Sequence, residues 1–127
     1  MRKIMPSLNE PDRLGDLLKF EEDNLYSRDP VTVASGQNLL AGTVIASLDS
    51  GGKIVALDSG GGGSDKPIGI IGQDVDASGG DVKSWIIARH AIVAASQVIW
   101  PGGATANDIA ADTKTLKGFG ILLRKEA

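Results

Sequence analysis

Residues 42–58 read Gly42-Thr-Val-Ile-Ala-Ser-Leu-Asp49, Ser50-Gly51-Gly52, Lys53-Ile-Val-Ala-Leu-Asp58. Two short runs rich in Val, Ile and Ala flank a serine and two glycines. Strand, Gly-Gly turn, strand is the local signature of a β-hairpin, because glycine supplies the turn conformations that match strand twist. This hairpin sets the expectation for the chain: short strands joined by glycine turns.

The same pattern continues on both sides. Upstream, Val31 and Val33 alternate with Thr32 and Ala34, and Ser35-Gly36 ends the run, as expected of a strand beginning near Pro30. Downstream, Ser59 to Ser64 reads SGGGGS, a flexible, exposed connection. Pro67-Ile-Gly-Ile-Ile-Gly-Gln-Asp-Val-Asp76 predicts a fourth strand. Gly69 and Gly72 interrupt it, which points to a bulge or a close backbone approach. After the turn Ala77-Ser-Gly-Gly80, residues 82–93 predict one long strand or two short ones. Residues 96–100 fit either a strand or a short helical turn. Thr105 to Leu116 predicts a helix capped by Thr105 or Asn107, with Ile109, Asp112 and Leu116 about a turn apart and Gly118 just past its end. Gly120-Ile-Leu-Leu-Arg124 predicts a closing strand.

Composition narrows the class. The 127 residues suit one domain, 30–127 as the β-rich body and 1–29 as an arm. A chain of this size buries roughly two-thirds of its unfolded surface and folds without staples. There is no cysteine, so a disulfide framework, a thiolate zinc site and a cysteine nucleophile are all excluded. Thirteen basic residues against sixteen acidic ones, net charge −3, argue against a nucleic-acid partner. The longest near-apolar stretch, Ala91 to Trp100, carries Ser96 and Gln97 and is far too short to span a membrane. The first residues have no apolar stretch of the kind a secretory signal carries. Glycine is high at 17 residues and aromatics low at 4%, which leaves a core of Val, Ile, Leu and Ala.

The arm is dense in mixed charge and interrupted by Pro6 and Pro11. Within it Leu14, Leu17 and Leu18 sit at i, i+3, i+4, one face of a short helix from Asp12 to Phe20. Such a helix is marginal alone. Its apolar face either packs on its own domain or docks on another subunit.

Little chemistry is visible. His90 is the single histidine, between Arg89 and Ala91 in a predicted strand, and a general base needs a positioned partner. No serine sits in a G-x-S-x-G elbow. Asp74 and Asp76, at i, i+2, suggest a cation site or an acid/base pair. They lack the further oxygen ligands of a calcium loop, and a polar strand edge running into a turn is the favoured reading. Trp85 and Trp100, the largest apolar side chains, serve either as interface anchors or as core. No catalytic residue, metal or cofactor is expected.

The order of signals resembles a known family. Ser27-Arg-Asp-Pro-Val-Thr-Val-Ala-Ser-Gly-Gln-Asn-Leu-Leu-Ala-Gly-Thr-Val44 is similar to the opening of the phage head decoration proteins. The hairpin ending in Leu57-Asp58, then Pro67 to Ala77, then Val98-Ile-Trp-Pro101, a helix and Gly120 to Arg124 follow the same family order. The resemblance covers about residues 26 to 125. It implies a mainly β domain with one or two short helices, barrel- or sandwich-like, behind an extended N-terminal arm. It further implies a homotrimer bound to the major capsid protein on the outside of a phage head, at quasi-three-fold positions, cementing the shell. On that basis Leu14, Leu17, Leu18, Phe20, Leu25, Tyr26, Arg28, Val31 and Val33 are expected to contact the capsid, and Trp85, His90 and Trp100 to lie between subunits. The expected partners are the major capsid protein and further copies of the chain, with no nucleic acid and no membrane. The chain departs from the lambda relative in its longer, more charged arm. Two rival functions remain open. A carrier-type or accessory β-domain would use Lys53 near a hairpin tip, and a hydrolase would use Asp74 and Asp76.

Overall fold

In the computed structural model, the described residues are 17–21, 27–48, 52–58 and 66–125. Among the described residues the regular elements are β1 (Leu18–Glu21), β2 (Arg28–Val33), β3 (Asn38–Leu39), β4 (Val44–Ser47), β5 (Lys53–Ala56), β6 (Pro67–Ile71), β7 (Val75–Asp76), β8 (Val82–Ile87), β9 (Ala91–Ala94), a single 3-10 turn (Ala95–Gln97), α1 (Ala106–Gly118) and β10 (Ile121–Arg124). The fold is mainly β. Five strands close a barrel in the order β2-β5-β4-β6-β8. Closure removes the exposed sheet edges that would otherwise template aggregation. A second sheet has the order β1-β9-β10, and β3 pairs with β7 across the loops.

The quoted hairpin is present. β4 and β5 pair antiparallel with Ile45 opposite Ala56 and Ser47 opposite Ile54. The barrel is sealed by a six-residue antiparallel ladder between β2 and β8, from Arg28 opposite Ile87 to Val33 opposite Val82.

Two apolar clusters meet at one wall. Inside the barrel, Val33, Ile45, Ile54, Ile71 and Ile86 pack together. Outside it, Val44, Ala46, Ile70 and Ile87 pack with Leu17, Val93, Leu116 and Ile121 from β1's start, β9, α1 and β10. The wall of β4, β6 and β8 is therefore buried on both faces. A strand in that position carries successive apolar residues rather than an alternation, which accounts for Thr-Val-Ile-Ala and Ile-Gly-Ile-Ile.

Crowding explains the glycines of β6. A Cβ on Gly69 would lie 2.6 Å from the Ile87 carbonyl oxygen, and one on Gly72 would enter the Trp85 ring. Both glycines thus mark close approaches, and the β4–β6 register also shifts between Ile45 and Ala46. The helix begins as expected. The Thr105 hydroxyl accepts from Asp108 N at 3.1 Å, and Asp108 Oδ2 accepts from Thr105 N at 3.0 Å, a reciprocal cap.

Three expectations need correction, and one open choice is resolved. Residues 67–76 break at Gly72 into β6 and β7 rather than forming one strand. Residues 82–93 take the second of the two expected forms, two short strands separated by a turn in which His90 adopts φ +48°. The helix runs on through Gly118, and the glycine in the left-handed region is Gly120, φ +87°. Residues 18–21 are a strand, not the end of a helix, and Leu17 packs in the outer cluster.

Leu17 is 1% exposed inside the outer cluster. Leu17→Ala is expected to cost about 2–5 kcal/mol of stability, read from urea unfolding followed by tryptophan fluorescence. Gly72→Ala is expected to lower the unfolding midpoint through collision with Trp85. Gly79→Ala, where an added Cβ meets nothing within 4 Å, leaves it unchanged.

Candidate interaction surface

The residues expected to contact a partner fall into three groups. Leu14, Leu25 and Tyr26 lie outside the described residues. Leu17 and Val33 are fully buried in this chain's own core, Val31 packs partly buried against the barrel interior, and Leu18 packs on the outer cluster. These four hold the body together; the alternation of β2 turns its valines inward. Phe20 is different, 51% exposed on β1.

Arg28 has a structural partner set. Its guanidinium grips Glu21 with Nε at 2.9 Å and Nη2 at 2.7 Å. It also lies 4.0 Å over the Trp85 ring. A bidentate pair with a stacked ring suits arginine's planar fork. The contact ties β1 to β2 and β8.

The neighbours of Arg28 act in the same way. Ser27 is completely buried. Its hydroxyl donates to the His90 carbonyl at 2.9 Å, and its own carbonyl accepts from Ala88 N at 2.7 Å. Asp29 accepts from Arg89 Nη2 at 2.6 Å. Ser27 and Asp29 thus fasten the 88–90 turn, while Arg28 between them fastens β1.

His90 sits where these ties converge. Its N–H donates to the Phe119 carbonyl at 3.3 Å, and a Cβ on Gly120 would lie 2.6 Å from its ring. A non-glycine residue in the left-handed region costs about 1–3 kcal/mol and persists only where its surroundings hold it. The imidazole is exposed beside an open concavity of about 630 Å³ at one barrel mouth, floored by Val31, Ile54 and Ile68.

Trp100 lies at the other end of the β4–β5 hairpin, in a cleft of about 230 Å³ whose rim carries the exposed Leu40 and Ile99. Trp85 is half-buried between Gly72 and Arg28. The structure therefore does not bring Trp85, His90 and Trp100 together on one patch. It places two of them at apolar concavities on opposite ends of the hairpin.

The β1-β9-β10 sheet gathers both ends of the described chain. β1 runs antiparallel to β9 with Leu18 opposite Val93, and β10 runs parallel to β9 with Arg124 opposite Ala94. With strands about 4.8 Å apart, the start of β1 and the end of β10 lie about 10 Å from each other. Among the described residues no strand pairs with the outer edge of β1.

The carboxylates do separate structural work. Asp74 Oδ1 accepts from Ala41 N at 2.8 Å, while Asp76 Oδ1 accepts from the hydroxyl and N–H of Ser78 at 2.6 and 3.0 Å. Neither is arranged toward the other as an acid/base pair. Lys53 is in β5 and pairs with Asp81 at 2.8 Å, not held out as a carrier lysine. Among the described residues no group of three His, Asp or Glu is placed to hold a metal.

Sequence reasoning missed Glu21, Ser27, Asp29 and Arg89 as anchors. Their ties span up to 63 positions in the chain, so no local signal announces them. Only the unbroken order Ser27-Arg28-Asp29 at the head of β2 hinted at a joint role.

Comparison with known proteins agrees with this geometry. A family model described as bacteriophage lambda head decoration protein D matches residues 7–121. Comparison with curated proteins gives no match.

Two carboxylates give the body an acid sensitivity. The hydroxyl and then the N–H of Ser78 hold Asp76 below its ordinary value of 3.8, and the Lys53 ammonium and then Ser35 N–H do the same for Asp81. A carboxylate lowered on folding contributes stability above its unfolded pKa and loses it as pH falls through the folded value. Stability is therefore expected to decline as pH drops below 3.8. Asp81→Asn should flatten that decline in thermal-unfolding curves taken across the acid range.

Proposed function

The chain belongs to the bacteriophage lambda head decoration protein D family, and from that premise we propose that it cements a phage head from outside. It is a structural protein of the phage capsid. In this reading it binds the major capsid protein as a homotrimer at the quasi-three-fold positions between hexamers and stabilises the expanded shell. The observation that carries the proposal is the family match, which runs from the arm to the first residue of the last strand.

Physical features of the chain support the finer points. A body closed as a barrel, with its strained turn held by Ser27 and Gly120, is a rigid platform. Rigidity reduces what is lost on binding. Three arms on one platform act at high effective concentration, so a modest grip by each becomes firm attachment. A cyclic trimer uses two different patches on each copy. The concavities beside His90 and Trp100 supply two.

In this reading the grip on the capsid lies ahead of Leu17, which is itself packed in the body's outer cluster. An extended arm can add to a sheet edge of its partner.

A chain beginning at Leu17 is expected to remain a folded trimer and to lose co-sedimentation with shells of the major capsid protein. Analytical ultracentrifugation reads the first property and pelleting the second. Unchanged affinity of the truncated chain would remove the arm from the proposal, and a monomeric full-length chain would remove the trimer.

A further inference from the structure

The β1-β9-β10 sheet has two faces, and the body uses one. Leu18, Ala91, Val93, Ile121 and Leu123 turn toward the outer cluster. The register shift between Leu18 and Phe20 places Lys19 in a bulge. That extra residue reverses the alternation, so Leu18 faces inward and Phe20 outward. Phe20 stands opposite Ile92, and Ile92 opposite Leu122. One apolar side chain from each strand thus forms an unbroken row across the outward face, with neighbours about 5 Å apart.

The row is open to solvent at its β1 end, where Phe20 is 51% exposed. Exposed apolar groups in a row, unlike scattered ones, mark interaction sites. Arg124 follows Leu122 on the same face, and Arg124, Lys125 and Lys19 are all exposed. The apolar row therefore has a cationic border in a chain whose net charge is −3.

We infer that this face is a second capsid contact, which seats the Phe20–Ile92–Leu122 row on an apolar patch of the major capsid protein bordered by carboxylates. The inference rests on the proposed capsid attachment. Sixteen residues precede Leu17, and they join the body at the start of β1, beside this row. Whatever surface the arm grips is brought against the strand that carries Phe20. The border charge selects an acidic counterpart. The residues of this row line neither of the concavities beside His90 and Trp100, which remain for contact between copies.

Phe20→Glu and Arg124→Glu test the face in the full-length chain, since both side chains are exposed. Co-sedimentation with shells of the major capsid protein is measured across salt concentrations, alongside sedimentation of the free chain. Phe20→Glu is expected to weaken capsid binding at least tenfold while the trimer persists, and Phe20→Leu to restore it. Arg124→Glu is expected to weaken binding and make it less sensitive to salt. Wild-type affinity in both variants would overturn the docking face and leave the capsid reading intact. Loss of the trimer in Phe20→Glu would overturn it in favour of contact between copies. Failure of the wild-type chain to bind shells would remove the capsid reading and this face with it.

Discussion

The wall of β4, β6 and β8 is the constraint on which the rest of the molecule depends. Ile45, Ile70, Ile71 and Ile87 are wholly buried, two facing into the barrel and two facing out. A barrel of five short strands can fill its own interior, but its outward apolar face would then be wet. Covering it takes β1, β9, β10 and α1 together. Leu17 and Ile121, which are 104 positions apart, are therefore packed into one cluster. The N-terminal strand is not an appendage. Without Leu17 the outer cluster is open at one side. The same crowding dictates glycine at Gly69 and Gly72, where the wall presses against the Ile87 carbonyl and the Trp85 ring.

Much of this was legible in the sequence, and the rest was hidden for definite reasons. The hairpin, the cap at Thr105, the close approach at Gly69 and Gly72 and the closing strand all have local signals. Turn chemistry, capping and missing side chains are properties of a few adjacent residues. β1 has no such signal. Leu14, Leu17 and Leu18 fit a helical face, and Leu18-Lys-Phe-Glu21 becomes a strand because β9 offers an edge. Tertiary pairing overrides weak local preference in this way. The left-handed glycine was displaced from Gly118 to Gly120 because the helix continues for two more residues, to where Phe119 N can return to the Leu116 carbonyl at 2.9 Å.

The candidate site was less legible than the fold. A protein that binds by surface needs no conserved chemistry of the kind that motifs announce. Its determinants are which apolar side chains remain outside, and that is settled by register. A single bulged residue, Lys19, decides that Phe20 faces solvent and Leu18 the core. The apolar pattern of β1 alone cannot show this, since a shift of one residue exchanges the two faces of a strand. The same holds for Val31 and Val33. Both are apolar and both follow the arm, yet the β2–β8 ladder turns them inward.

The Ser27-Arg28-Asp29 run shows how the two requirements, a sealed body and an available end, are met together. β1 and β2, consecutive along the chain, belong to different sheets. Ser27 ties the returning chain to the His90 turn, Asp29 ties it to Arg89, and Arg28 reaches back to Glu21 at the end of β1. The Glu21–Arg28 pair is half-screened by the Trp85 ring, so it keeps more of its strength than an ion pair in open water. A pull on the chain ahead of Leu17 would load β1, which is held by its ladder with β9, by Leu17 and by this clamp. The load passes into the barrel wall and not into a flexible hinge. For a protein whose proposed work is to resist outward pressure on a shell, a firmly held β1 is the useful arrangement.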